Sequence, residues 1–188
     1  LHVARWESDG PTFSEVADPY SDDGISQMPF VNLLAVDSGF LGVLTTNRGT
    51  VSSPAYEFSS FEVDRVGQWI REPTSILTVH SDTTAIYEVR FSRVTNGGER
   101  AGGVLVWSSM RSSGTQYIEA QRIGNDGSLF GESLTLAEDV DVSAGNLLGV
   151  ASTPNGVVVT WIDQTDTSNT RIHWRYLNSC FFDGSDET

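Results

Sequence analysis

The sequence predicts an all-β protein assembled from a repeated unit of four short antiparallel strands. Three observations carry that expectation. An Arg followed by a large apolar residue recurs along the chain, Asp-Gly pairs return soon after it, and two glycine-led apolar runs end in Trp. Self-similarity of this kind marks stacked units, each too small to bury its apolar face alone.

The repeat can be followed through the 188 residues. Leu1-His2-Val3-Ala4-Arg5-Trp6, Tyr117-Ile118-Glu119-Ala120-Gln121-Arg122-Ile123 and Arg171-Ile172-His173-Trp174-Arg175-Tyr176 can be laid over one another. A fourth copy, Tyr56 to Phe61, carries Ser60 in place of the Arg. Positions 5, 60, 122 and 175 are 55, 62 and 53 residues apart. Asp9-Gly10, Asp126-Gly127 and Asp183-Gly184 follow three of the copies, while Asp64-Arg65 departs from the pattern. Asp-Gly accepts the positive φ of a tight hairpin, so its return marks one hairpin made again.

In chain order, residues 1–6 read as the outer strand of a preceding unit. Complete units are expected over 11–61, 65–123 and 127–177. In the last of these, 133–138 reads as a first strand, 146–152 as a second, 157–162 as a third and 171–177 as a fourth. Asn155-Gly156 is the hairpin between the second and third. Gly156-Val157-Val158-Val159-Thr160-Trp161 and its counterpart Gly103 to Trp107 are almost continuously apolar, as strands covered on both faces are. Leu41 to Thr46 is a weaker version. A helix over residues 64–72 would have to contain Gly67 and stop at Pro73, which argues against one.

Four strands per unit of this length match the blades of a β-propeller. On its glycine-apolar-Trp strand and Asp-Gly turn, the chain resembles the propeller repeats of secreted bacterial proteins. The resemblance implies about three four-stranded blades plus one extra strand, and a secreted or cell-surface location. Closed propellers have typically four to eight blades, so it also implies a larger or multi-chain ring completed by another chain or a missing segment. A β-sandwich is the alternative, but a sandwich has no reason to repeat Arg-aromatic and Asp-Gly at matching offsets.

Composition narrows the partners. The net charge of −14, from 25 acidic and 11 basic residues, disfavours nucleic acid and anionic membranes, both of which are bound through Lys and Arg. No apolar run is long enough to span a bilayer, which excludes a membrane-inserted helix. A start at Leu1 without a visible signal peptide is expected of a processed or excised chain. Cys180 is the single cysteine, a candidate for an intermolecular disulfide or a free thiol.

Signatures of catalysis are missing from the sequence, which contains no Gly-x-Ser-x-Gly, His-Glu-x-x-His or Walker loop. No cofactor is expected, with calcium as the one alternative. Asp139, Asp141 and Ser143 alternate in a way that lets three oxygens converge on calcium, although the loop's closing acid is absent and a polar turn between first and second strands is the plainer reading. Trp107 and Trp161 read as core between units. Trp69, beside Gly67-Gln68, is the candidate exposed aromatic for ligand binding. The Arg series is expected to make one structural bond repeatedly.

Together these readings favour a non-catalytic extracellular module for adhesion, protein binding or assembly. Its expected partners are a glycan or a cell-surface protein. A carbohydrate-binding protein is the first alternative. A polysaccharide hydrolase or lyase with a carboxylate pair is the second.

Overall fold

A computed structural model describes residues 2–7, 10–15, 30–50, 52–94, 102–141, 148–164 and 170–178. The described chain is all-β, with thirteen strands and no helix among those residues. β1 (His2–Glu7) and β2 (Gly10–Glu15) form an antiparallel hairpin. Sheet 1 is the meander β3 (Phe30–Val36), β4 (Gly39–Asn47), β5 (Tyr56–Asp64) and β6 (Trp69–Thr78). Sheet 2 repeats it with β7 (Thr83–Arg93), β8 (Gly102–Arg111), β9 (Gln116–Gly124) and β10 (Leu129–Glu138). Sheet 3 holds β11 (Leu148–Thr153), β12 (Gly156–Asp163) and β13 (Arg171–Asn178).

The sheets stack face to face in three layers. On β8, Leu105 and Trp107 join Leu41, Val43, Tyr56 and Phe58 of sheet 1 in one core. Val104 and Val106, on the opposite face, join Val157, Val159 and Trp161 of sheet 3 in another. Alternate side chains point to opposite faces of a strand, so a strand serving two cores must be apolar throughout. That is why β8 reads as an uninterrupted run. Trp107 is only 1% exposed, and burying such a side chain contributes about 2–3 kcal/mol. The first strands β3 and β11 both contact β7, so the layers are also aligned strand by strand.

Each second strand opens on a glycine in the same setting. A Cβ at Gly39, Gly102 or Gly156 would lie 2.1, 2.0 and 2.2 Å from the carbonyl oxygens of Val63, Ile123 and Leu177. Each close approach tolerates only hydrogen, and it falls at the same place in all three sheets. The pairs Gly39↔Asp64, Gly102↔Gly124 and Gly156↔Asn178 therefore set a common register.

Unit phase differs from the sequence expectation by one strand. The glycine-apolar-Trp strand is second and the Arg strand third, so the sheets do not follow 11–61, 65–123 and 127–177. Residues 133–138, expected to open a unit, lie in β10 and pair with β9. The reason lies in the Asp-Gly turn. Gly124 N donates to Ser128 O at 2.8 Å and Gly127 N to Gly124 O at 2.9 Å, a tight hairpin that joins the third strand to the fourth. Asp64 and Gln68 close the equivalent turn, with Gly67 at φ +85 where sheet 2 has Gly127 at φ +74. Sheet 1 thus keeps the turn without its Asp-Gly.

Candidate functional site

The Arg series does not share a position. Arg122 pairs with Val104, two residues after the opening glycine, whereas Arg175 pairs with Val159, three after it. Their side chains consequently leave opposite faces of their sheets. Arg122 is buried with its guanidinium 5.6 Å from the Phe130 ring centroid. Arg175 Nη1 donates to the Leu136 carbonyl at 3.3 Å. Both are structural, but they make different contacts.

The densest polar cluster surrounds Glu119 on β9, 2% exposed. Trp107 Nε1 and Ser109 Oγ donate to its Oε2 at 3.0 and 3.2 Å, and Arg111 Nη2 to its Oε1 at 3.2 Å. His80 Nε2 lies 3.6 Å from Oε1, and Arg111 lies over the Tyr117 ring. Three hydrogen bonds occupy three of the about four acceptor positions of this buried carboxylate. Its work is to carry polar strand ends through an apolar interface. The second buried carboxylate, Glu88, accepts from Leu148 N of sheet 3 at 2.9 Å and pairs with Arg90. Glu88 therefore works at the opposite interface from Glu119, and the two do not form the facing pair that glycoside hydrolysis uses.

Trp69 is half-buried rather than displayed. Its ring meets Phe61 edge-on at 5.5 Å and 85°, in a small core with Leu44 and Val63. Asp139 and Asp141 lie on the link from β10 to β11, between sheets and not between a first and second strand. Asp139 adopts φ +57, and the Asp141 amide donates to Asp163 Oδ1 at 3.2 Å. Burial first, and the Asp141 carboxylate second, push the Tyr87 phenol above its ordinary pKa. Ser143 and Cys180 fall outside the described residues. Among the described residues no three His, Cys, Asp or Glu side chains are gathered as a metal site.

Among the described residues, the exposed aromatics, Trp174 and Tyr176, are on β13, with Ile172 beside them. Ile172, Trp174 and Tyr176 are 75%, 68% and 39% exposed. They alternate along one strand and pair across it with Ile162, Thr160 and Val158, so all six share the outer face of sheet 3. The intervening His173 and Arg175 turn inward, where His173 stacks on Trp161 with centroids 5.6 Å apart. This inverts the usual arrangement of apolar residues inside. The inversion was legible as alternation in Arg171 to Tyr176, but the alternation alone does not say which set faces the core. Register with β12 decides it, because Val157, Val159 and Trp161 are already committed to sheet 2.

No family model, curated protein or solved structure matches this chain.

Proposed function

We propose that the protein is a non-catalytic binding or assembly module whose contact surface is the outer face of sheet 3. The observation that carries this reading is the exposure of Ile172, Trp174 and Tyr176 together on one strand. Contiguous exposed apolar surface marks interaction sites, and Trp and Tyr dominate binding energy where they occur. The engaged state of Glu119 and Glu88 supports a scaffold role for the buried acids. The propeller-like stack and an extracellular setting belong to the same proposal, on the strength of the repeat.

A second reading, carbohydrate binding, is favoured by Trp174 and Tyr176 two residues apart on a sheet face, about 7 Å along the strand, a spacing suited to stacking on sugar rings. One experiment separates the readings. A panel of soluble polysaccharides is incubated with the chain, and both binding and release of reducing ends are measured. The module reading expects no release. Glycan binding lost in Trp174→Ala would shift the assignment to carbohydrate recognition, and sustained release of reducing ends would contradict a non-catalytic role.

A further inference from the structure

We infer that Met110 is an oxidation site, at which Tyr87 directs peroxide oxygen to one side of the thioether sulfur and so fixes which sulfoxide epimer forms. The site lies at the end of β8 and does not involve the outer face of sheet 3.

The backbone singles out this methionine. Pairing of the first and second strands runs without interruption in sheets 1 and 3. In sheet 2 it is broken twice, between Thr83 and Ala85 and between Ile86 and Glu88. Each break leaves one extra residue on β7, Thr84 and Tyr87, and both reach Met110. Thr84 Oγ1 donates to the Met110 carbonyl oxygen at 3.2 Å, and Tyr87 Oη donates to its Sδ at 3.2 Å. A bulge re-aims a side chain, and here two bulges aim at one residue. Sheets 1 and 3 have Asn47 and Gln164 at the corresponding place, eight residues beyond the opening glycine.

The surroundings of the sulfur decide its chemistry. A thioether sulfur carries two lone pairs and is a weak acceptor. Tyr87 engages one of them, which leaves the other for an electrophile. Met110 and Tyr87 are both half-buried, so a molecule as small as hydrogen peroxide can reach the sulfur. The strand is held in place there, because Ser109 and Arg111, on either side of Met110, bond Glu119 on the opposite face. Burial first, and the Asp141 carboxylate second, hold the Tyr87 phenol above its ordinary pKa, so it stays protonated and able to donate.

The step is a two-electron oxygen transfer. The free lone pair of Sδ attacks one oxygen of hydrogen peroxide, the O–O bond breaks and an S–O bond forms. The departing hydroxide takes the proton from the transferred oxygen and leaves as water, so the sulfur is oxidised and the peroxide reduced. The product is a polar, chiral sulfoxide, and its two epimers are reversed by different reductases. The Tyr87 hydroxyl is the donor already beside that new polar group. Met110 thereby gives this end of sheet 2 a reversible response to peroxide.

Mild hydrogen peroxide treatment of the folded chain, with Cys180 alkylated beforehand, tests this. Digestion and chromatography with mass detection then separate the two epimers of the Met110 peptide. Met110 is expected to convert while the circular dichroism of the fold is retained. One epimer should be in about fivefold excess, the factor that one ordinary hydrogen bond supplies. That excess is expected to fall toward unity in Tyr87→Phe, which keeps the ring, and in wild-type chain oxidised in urea. Only one of the two epimer-specific reductases should reverse the product of the folded wild type. A Met110 that resists peroxide in the folded chain overturns the inference, as do equal epimers there or an undiminished excess in folded Tyr87→Phe. An excess that persists in urea also overturns it, because local sequence and not the fold would then set the epimer.

Discussion

Ile118 and Ile172 occupy the same register position in consecutive sheets, yet one is completely buried and the other is 75% exposed. The difference comes from what lies above them. Sheet 3 covers Ile118, and nothing among the described residues covers Ile172 to the same degree.

Truncation should therefore separate the pair. Ile118→Ala removes atoms from a closed core and is expected to cost about 3 kcal/mol, whereas Ile172→Ala should stay within about 0.5 kcal/mol. Urea unfolding at low concentration measures both. Equal losses would show that the two positions are equally packed.

Gly102→Ala places a methyl group 2.0 Å from the Ile123 carbonyl oxygen. The strand must move to admit it, so destabilisation of about 2 kcal/mol or more is expected. Gly114 is a useful comparison. A Cβ there meets nothing within 4 Å, although its φ of +86 still strains an Ala. Gly114→Ala should cost only about 1 kcal/mol.

Glu119→Gln keeps the shape of the side chain but removes the charge facing Arg111. Loss of one partner from a buried pair is expensive, and about 3 kcal/mol is expected by thermal or urea unfolding. Arg111 retains Asp82 at 3.5 Å and the Tyr117 ring, which keeps the loss below that of a fully stranded charge.

Asp126 supplies a pH dependence. The Ser128 hydroxyl, then the Ser128 amide and the nearby Arg71, hold its carboxyl below the ordinary 3.8. A lowered folded value means that stability is fully present above pH 3.8 and is lost as pH falls through the folded value. The stability difference between the wild type and Asp126→Asn should be flat from pH 7 to 5 and shrink below pH 4, as read from urea midpoints. A difference that grows on acidification would reverse the assignment.

The all-β class and the recurring turn were legible because glycine and Asp-Gly report local backbone demands. Gly67 shows the limit of that reading. It does in sheet 1 what Gly127 does in sheet 2, but Val66 precedes it in place of an Asp, so the Asp-Gly signal is absent. Arg122 and Arg175 failed for a different reason. A one-residue slip in aligning strands sends side chains to opposite faces, and short degenerate motifs do not fix register. Glu119 was hidden because its partners come from β8 and from the link after β6, which only the fold brings together. Trp69 looked exposed from its neighbours in sequence, but Phe61, eight residues earlier, covers one side of its ring.

Hydroxyl-radical labelling of the dilute chain, read residue by residue by mass spectrometry, tests the central claim most directly. An open outer face of sheet 3 predicts rapid labelling of Trp174, Tyr176 and Ile172, with Trp107 and Ile118 protected. Trp174 labelled as slowly as Trp107 would show that the face is covered within a single chain, and the binding surface proposed here would not exist.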